Sequence, residues 1–493
     1  MRPRAPFHRA SALANVASAE PATRRLAEPE ATGSRSNRFL VAAGLLNVAL
    51  ATYVQQGGLG PLSVALLTVA TGAAAFAVLA PPPAPGGPVT TRAIVISLVL
   101  IELGMMIVFP FRPSIDVPSP TLPIPALSTI SLLAMLAAVG AARSGRSWWL
   151  VGIGVVWLAA VVARVLVVGA DVAPNFDVPL FQEEAARLLL GGHDPYETTI
   201  VAAYPYGPVA IIGAAIGHVL GDVRWVQVGA DLATAGALAW VGRRQLDSFA
   251  GAAIGAMWLW SGSGLFVIWQ GFPEPLMTAL LIAGAVCSSS HVPRAGLASG
   301  ILVGLGAATK QFGALPVLLL VARRGRARSI GLTALTTAAL VVLPFVIANP
   351  ARFLAGTVGF NIDQPLRSFA LNLIPLLRIF GPGTSVPPIV AVVAGALAGL
   401  GVTWRRRSGT AWVEATVVGL MVFSVLGTIS FVNYYEVPLG LLLLLGAFEL
   451  KPGHATRPQP ADGQAPASEE RTASVEESGS RDGADASSSR QAD

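Results

Sequence analysis

"WWLVGIGVVWLAAVVARVLVVG", residues 148–169, is a nearly unbroken run of apolar side chains. About 20 such residues are what an α-helix needs to cross the roughly 30 Å hydrocarbon core of a bilayer. Comparable runs recur at 39–54, 60–80, 93–110, 124–142, 224–242, 248–269, 273–290, 294–309, 311–322, 330–348, 388–404, 410–428 and 435–450. In lipid every backbone N–H and C=O must find its partner within the protein, which selects helices over open sheets. The sequence therefore predicts an all-α, polytopic transmembrane helical bundle of about 12 to 14 spans.

Composition excludes the main alternatives. Of 493 residues, 53% are hydrophobic and 12% charged, and the mean hydropathy is +0.64. That leaves too few charges to cover a soluble surface. The net charge of +6 would suggest nucleic acid in a soluble protein. Here the arginines sit at the ends of apolar runs and no basic stripe interleaves with aromatics, so no nucleic-acid partner is expected. Cys287 has no partner with which to form a disulfide or thiolate cluster. Residues 1–37, rich in Arg, Ala, Pro and Ser, lack the order of a cleavable signal peptide, and the first apolar run reads as a retained helix. Both they and the polar tail 451–493 are expected to be disordered and cytoplasmic.

With the N-terminus inside, the loops carrying Arg92, Arg143 and Arg146, Arg243 and Arg244, Arg294, Arg323 to Arg328, and Arg405 to Arg407 all fall on the cytoplasmic side. This threading requires that the apolar run 205–221 lie in the external interface or re-enter rather than cross. It places 170–223, "WQGFPEP" at 269–275, Lys310, the loop 349–387 and "FVNYYE" at 431–436 outside. Nearly every unusual polar residue is there.

Five carboxylates crowd "NFDVPLFQEEAARLLLGGHDPYE", 175–197. Most read as the wet side of an amphipathic surface helix starting near Pro179, with Glu183 and Arg187 as an i,i+4 pair. Asp177, just before that helix, is either a general base at the membrane edge or an ordinary acid at a helix start. Tyr204 and Tyr206, in "AYPYGP", line a pocket or join an interfacial aromatic belt. Gln270 and Glu274 stand on a tight external turn. Lys310 is one of two lysines among 33 basic residues. As a compact charge on a flexible stem it suits a phosphate, against a bland reading of snorkelling at the interface. Gln311 follows it. The loop "FNIDQPLRSFALNL", 360–373, offers Asn361, Gln364 and Arg367 to sugar hydroxyls or a phosphate. Tyr434 and Tyr435 face the same space from "FVNYYEVP", which also carries Asn433 and Glu436. Glu102 and Asp231 lie inside spans, where an unpaired charge costs about 2.5–3.5 kcal/mol, and are expected to be structurally paired. There is no phosphate-binding glycine loop, zinc spacing or serine nucleophile elbow, and no metal or cofactor is expected.

The acidic first external loop, its helix ending in "GGHDPYE", then "YPYGP", "GFPEPLMTALLIAG" and "ATKQFGALPVLLL" together resemble the GT-C superfamily of membrane glycosyltransferases, closest to glycosyltransferase family 87, over residues 148–450. That family includes polyprenol-phosphate-mannose-dependent α-mannosyltransferases. The resemblance implies N-terminal helices at 38–147, a catalytic module at 148–450, and a sugar moved from a polyprenyl-phosphate donor to a lipid or glycan acceptor, outside the cell membrane and with inversion. It maps the family's catalytic aspartate to Asp177, its proline-rich segment to Tyr204–Pro208 and its later basic residue to Lys310. "YPYGP" departs from the commoner pair of adjacent prolines. The rival reading is a transporter or flippase of lipid-linked sugars, which would work through intramembrane carboxylates such as Glu102 and Asp231.

Overall fold

The computed structural model describes residues 32–56, 60–81, 88–108, 122–169, 177–198, 203–290, 292–363, 370–374, 387–428 and 430–448. Gln364, Arg367 and the tail 451–493 lie outside the described residues. Among those described there are helices and turns and no strand. The N-terminal part comprises α1 (Thr32–Gln56), α2 (Pro61–Leu79), α3 (Pro88–Val108), α4 (Ile124–Arg143) and α5 (Trp149–Gly169). Two short helices follow, α6 (Val178–Leu190) and α7 (Pro208–Val219). Then come α8 (Trp225–Gln245), α9 (Ser248–Leu259), α10 (Gly262–Trp269), α11 (Glu274–Ser288), α12 (Ala295–Ala307), α13 (Ala314–Val321) and α14 (Arg326–Ala348). The chain ends with α15 (Pro350–Leu354), α16 (Phe360–Asp363), α17 (Pro388–Arg405), α18 (Ala411–Leu426) and α19 (Glu436–Phe448).

Seven helices, α1 to α5, α14 and α17, contain stretches long and apolar enough to cross a membrane, and α9 with α10 makes an eighth if they form one span bent by 47°. The bend has a local cause: the hydroxyl of Ser261 accepts the Gly264 N–H and starts a new helix where a single run was expected. The remaining apolar helices have 10–17 residues, below the length of a full crossing. The 12 residues of α7 span about 18 Å at 1.5 Å each.

The last helix is the centre of the bundle. From Glu436 to Ala447 every residue of α19 is buried, as expected of a helix that is apolar on all sides, and it packs on α1, α8, α9, α11 and α18. Small residues permit the close approaches: a Cβ on Gly440 would sit 2.7 Å from the Thr278 side chain of α11, and one on Gly446 at 2.7 Å from Leu40 of α1. On the outside, Leu133, Leu158, Leu340 and Leu397 are exposed on α4, α5, α14 and α17, faces that lipid solvates and water does not.

Helix α1 begins at Thr32, inside the segment expected to be disordered. The cause is tertiary: Arg35 pairs with the buried Glu414 of α18 at 2.6 Å, and the Ser36 hydroxyl donates to the Gly446 carbonyl of α19. Glu414 also faces Arg406 at 3.8 Å, and Arg323 donates to the Arg406 and Ser408 carbonyls, each at 3.2 Å. Arg35, Arg323 and Arg406 thus gather at one end of the bundle. Arg294 is separated from Lys310 by the length of α12, and Arg243 and Arg244 lie at the opposite end of α8 from Trp225. The intramembrane carboxylates are partnered: Asp231 accepts from Arg164 of α5 at 2.5 Å, and Glu102 accepts from Asn47 of α1, whose Oδ1 takes the Ser261 hydroxyl at 2.8 Å.

Candidate active site

Two loops far apart in sequence are stitched together by their backbones. Gly207 N–H donates to the Thr309 carbonyl at 2.9 Å and Val209 N–H to the Ala308 carbonyl at 3.1 Å. The Gln311 side-chain amide donates to the Pro205 carbonyl at 2.5 Å and to the Thr357 carbonyl at 2.7 Å. The seam closes because residue 207 is glycine: a Cβ there would lie 2.2 Å from the Ala308 carbonyl oxygen. Tyr206 is thereby carried to Lys310, whose Nζ stands 5.2 Å from its ring centroid.

Lys310 is almost wholly buried. Its Nζ lies 2.5 Å from Glu274 Oε1, and Asn433 Nδ2 donates to the same oxygen at 2.5 Å. Three rings surround the ammonium: Tyr434 at 4.3 Å, with Tyr206 and Phe312 each at 5.2 Å from Nζ to centroid. Such contacts strengthen as water is removed. Phe312, Tyr434 and Phe423 continue the aromatic surface as a tilted stack.

The elements that supply these residues share a polarity. Asp177 stands just before α6, Tyr206 precedes α7, Glu274 opens α11, Lys310 precedes the 3₁₀ turn Gln311–Gly313 that leads into α13, and Asn433 and Tyr434 lead into α19. Helix N-termini carry partial positive charge from unsatisfied N–H groups, so this end of the bundle favours an anion.

Asp177 is exposed, and its side chain caps no backbone N–H of α6. That removes capping by hydrogen bond from its two readings and leaves the general charge effect and the base. It stands near Tyr206: burial, then Glu274, Tyr204, Tyr434 and Asp177 as neighbours, hold the Tyr206 phenol well above its usual 10.0. The face of α6 formed by Val178, Phe181, Gln182, Ala185 and Ala186 is buried, α6 packs on α7, and Phe181 meets Phe360 edge-on at 6.2 Å. Pro179, two residues after Asp177, abuts the Gly271 turn, where a Cβ would come within 3.2 Å of it. Gln270, on that turn, is fully buried.

Other expected residues are placed elsewhere. Tyr204 donates to Gln182 Oε1 at 2.9 Å and packs edge-on against Tyr196 and Tyr206. Tyr435 points away from Lys310 chemistry, its hydroxyl donating to the Leu371 carbonyl at 2.7 Å. Asn361 donates to the Thr357 carbonyl at 3.1 Å. Glu183 pairs with Arg187 at 3.6 Å and with His218 at 2.8 Å. Sequence reasoning overlooked Arg164, although an arginine inside an apolar run is itself a signal. It also overlooked Arg224, which binds Asp222 at 2.6 Å and the Val168 carbonyl at 2.8 Å. Among the described residues no three His, Cys, Asp or Glu side chains gather as a metal would require.

The family model of glycosyltransferase family 87 matches residues 204–428. The match spans somewhat less than half of the chain and supports membership of glycosyltransferase family 87. Together with the apolar helices, that match indicates a membrane glycosyltransferase. No curated protein and no solved structure matches the chain. The matched segment contains Tyr204, Tyr206, Gln270, Glu274, Lys310, Gln311 and Asn361, and stops short of Asp177 on one side and Asn433 on the other.

Proposed function

We propose that this glycosyltransferase moves a hexosyl group, mannose by the resemblance, from a polyprenyl-phosphate donor to a lipid or glycan acceptor on the external face, with inversion. The observation that carries the reading is Lys310: a buried cation within three aromatic rings, where several helix N-termini meet, beside the loop that carries Asp177. In this reading Asp177 takes the proton of the acceptor hydroxyl as its oxygen bonds to the anomeric carbon. The bond from that carbon to the phosphate oxygen breaks, and its electron pair leaves on the phosphate. Lys310, on its flexible stem, turns from Glu274 to neutralise that charge. The arginine-rich loops at the other end support placing this end outside. The pairing of Asp231 with Arg164 and of Glu102 with Asn47 gives the transporter reading no free intramembrane carboxylate in these two positions.

The test is transfer of radiolabelled mannose from polyprenyl-phosphate mannose to lipid acceptors in membranes. A positioned base contributes about 10²–10⁴ in rate, so Asp177→Asn is expected to lose that factor. Full transfer by Asp177→Asn refutes the assignment of the base.

A further inference from the structure

Around Lys310 the hydrogen bonds do not balance. Glu274 is 0% exposed and Asn433 1%. Glu274 Oε1 takes both Lys310 and Asn433, while Glu274 Oε2 and Asn433 Oδ1 are buried without a donor. Two acceptors on two touching side chains, both kept from water, cost free energy unless a ligand supplies hydrogens. A phosphate has none to give them. A pyranose ring does: neighbouring hydroxyls offer two donors a few ångströms apart, and the C–H face of the ring suits Tyr206, Phe312 and Tyr434, which stand round the same lysine.

We propose that Glu274 and Asn433 read two adjacent hydroxyls of the donor sugar and so determine which hexose is transferred. The inference rests on the donor reading given above and adds the subsite that the sugar occupies. The division of labour follows from the chemistry. Lys310 answers the phosphate, common to every donor of this class, and the Glu274–Asn433 acceptor pair answers the ring, which differs between donors. When Lys310 turns to the phosphate, Glu274 Oε1 keeps its bond from Asn433 and gains a free lone pair, which couples phosphate capture to sugar recognition. Glu274 sits at the first turn of α11 and Asn433 just ahead of α19, the most buried helix, so both are held on rigid elements rather than on a mobile loop.

The experiment uses the full chain in lipid nanodiscs, with binding and transfer measured separately. The probes are polyprenyl phosphate, its mannosyl, glucosyl and galactosyl esters, and the set of monodeoxy analogues of the ester bound most tightly. A site built to hydrogen-bond a hydroxyl strongly rejects the analogue that lacks it. Two adjacent deoxy positions are therefore expected to weaken binding by about 100-fold each, and the others by less than about fivefold. In Glu274→Gln and, independently, in Asn433→Ser, the penalty at those two positions is expected to fall below about tenfold, while bare polyprenyl phosphate still binds through Lys310. Two variants guard against one failing to fold. A flat deoxy profile, a profile unchanged in both variants, or hexosyl esters that bind no better than bare polyprenyl phosphate would each overturn the inference. Transfer with a flat profile leaves the proposed function standing and sinks the subsite. Selective binding without transfer does the reverse.

Discussion

Replacing Lys310 and Glu274 singly and together separates scaffold from chemistry. The pair is buried, with the two side chains 5% and 0% exposed and 2.5 Å apart. Removing one member of such a pair leaves an uncompensated buried charge and costs about 3–5 kcal/mol, whereas replacing both with apolar residues of similar volume is often neutral. Lys310→Met alone is therefore expected to lose about 3–5 kcal/mol of stability. Lys310→Met with Glu274→Met should recover most of it, less about 1 kcal/mol for Asn433, which loses its acceptor. Activity follows a different pattern. If Lys310 neutralises the leaving phosphate, no second substitution restores it, and both variants that lack the lysine should transfer sugar about 10²–10³-fold more slowly per folded molecule. Stability is measured by reversible unfolding in detergent and transfer by the radiolabel assay at matched folded protein. Wild-type transfer by the double variant would mean that the lysine only balances Glu274. Unchanged stability in Lys310→Met would mean that the buried pair is not formed.

Gly207→Ala places a methyl group 2.2 Å from the Ala308 carbonyl and breaks the Gly207–Thr309 and Val209–Ala308 bonds. Overpacking of about 1–3 kcal/mol plus two bonds of about 1 kcal/mol each predicts a loss of roughly 3–5 kcal/mol, and wild-type unfolding would contradict the seam. Arg164→Met should cost about 3–5 kcal/mol by stranding Asp231, and adding Asp231→Leu should restore stability; an undiminished loss in the double variant would deny the pairing. In a Cys287→Ala background, Asp194→Cys should react with a membrane-impermeant thiol reagent on intact cells and Arg244→Cys should not, and the reverse pattern removes the external site. Burial and nearby carboxylates raise the Tyr206 phenol. The folded state therefore binds this proton more tightly, and its contribution to stability is full below about pH 10 and declines above it. Alkaline titration by ultraviolet absorbance should show fewer tyrosinates than six until the protein unfolds.

The helices were legible because apolar length is a one-dimensional signal. Expected spans such as 124–142, 388–404 and 435–450 differ by two residues or fewer per end from α4, α17 and α19. The break at Ser261 was not legible, because it depends on which backbone N–H a serine hydroxyl reaches. At the site, residue types gave the candidates and contacts sorted them. Lys310, rare by composition, meets Glu274 and Tyr206, while Tyr435 and Gln311, equally plausible by type, spend their donors on backbone carbonyls. The acceptor pair of Glu274 and Asn433 is 159 residues apart in sequence, and only folding makes it a pair.

The first helix and the last are fastened to each other. Ser36 bonds Gly446, 410 residues later, and Arg35 waits for Glu414, 379 residues later. At about 5–20 residues per second of synthesis, α1 enters the membrane roughly 20–80 s before α19 emerges. Asn47 has no Ser261 until the chain is 214 residues longer, and Arg35 has no Glu414 until it is 379 residues longer, so the nascent chain carries polar groups that its own later helices must satisfy. Biogenesis therefore favours a protected holding site for α1, and a ribosome stalled before residue 411 would leave a chain whose N-terminal half cannot close.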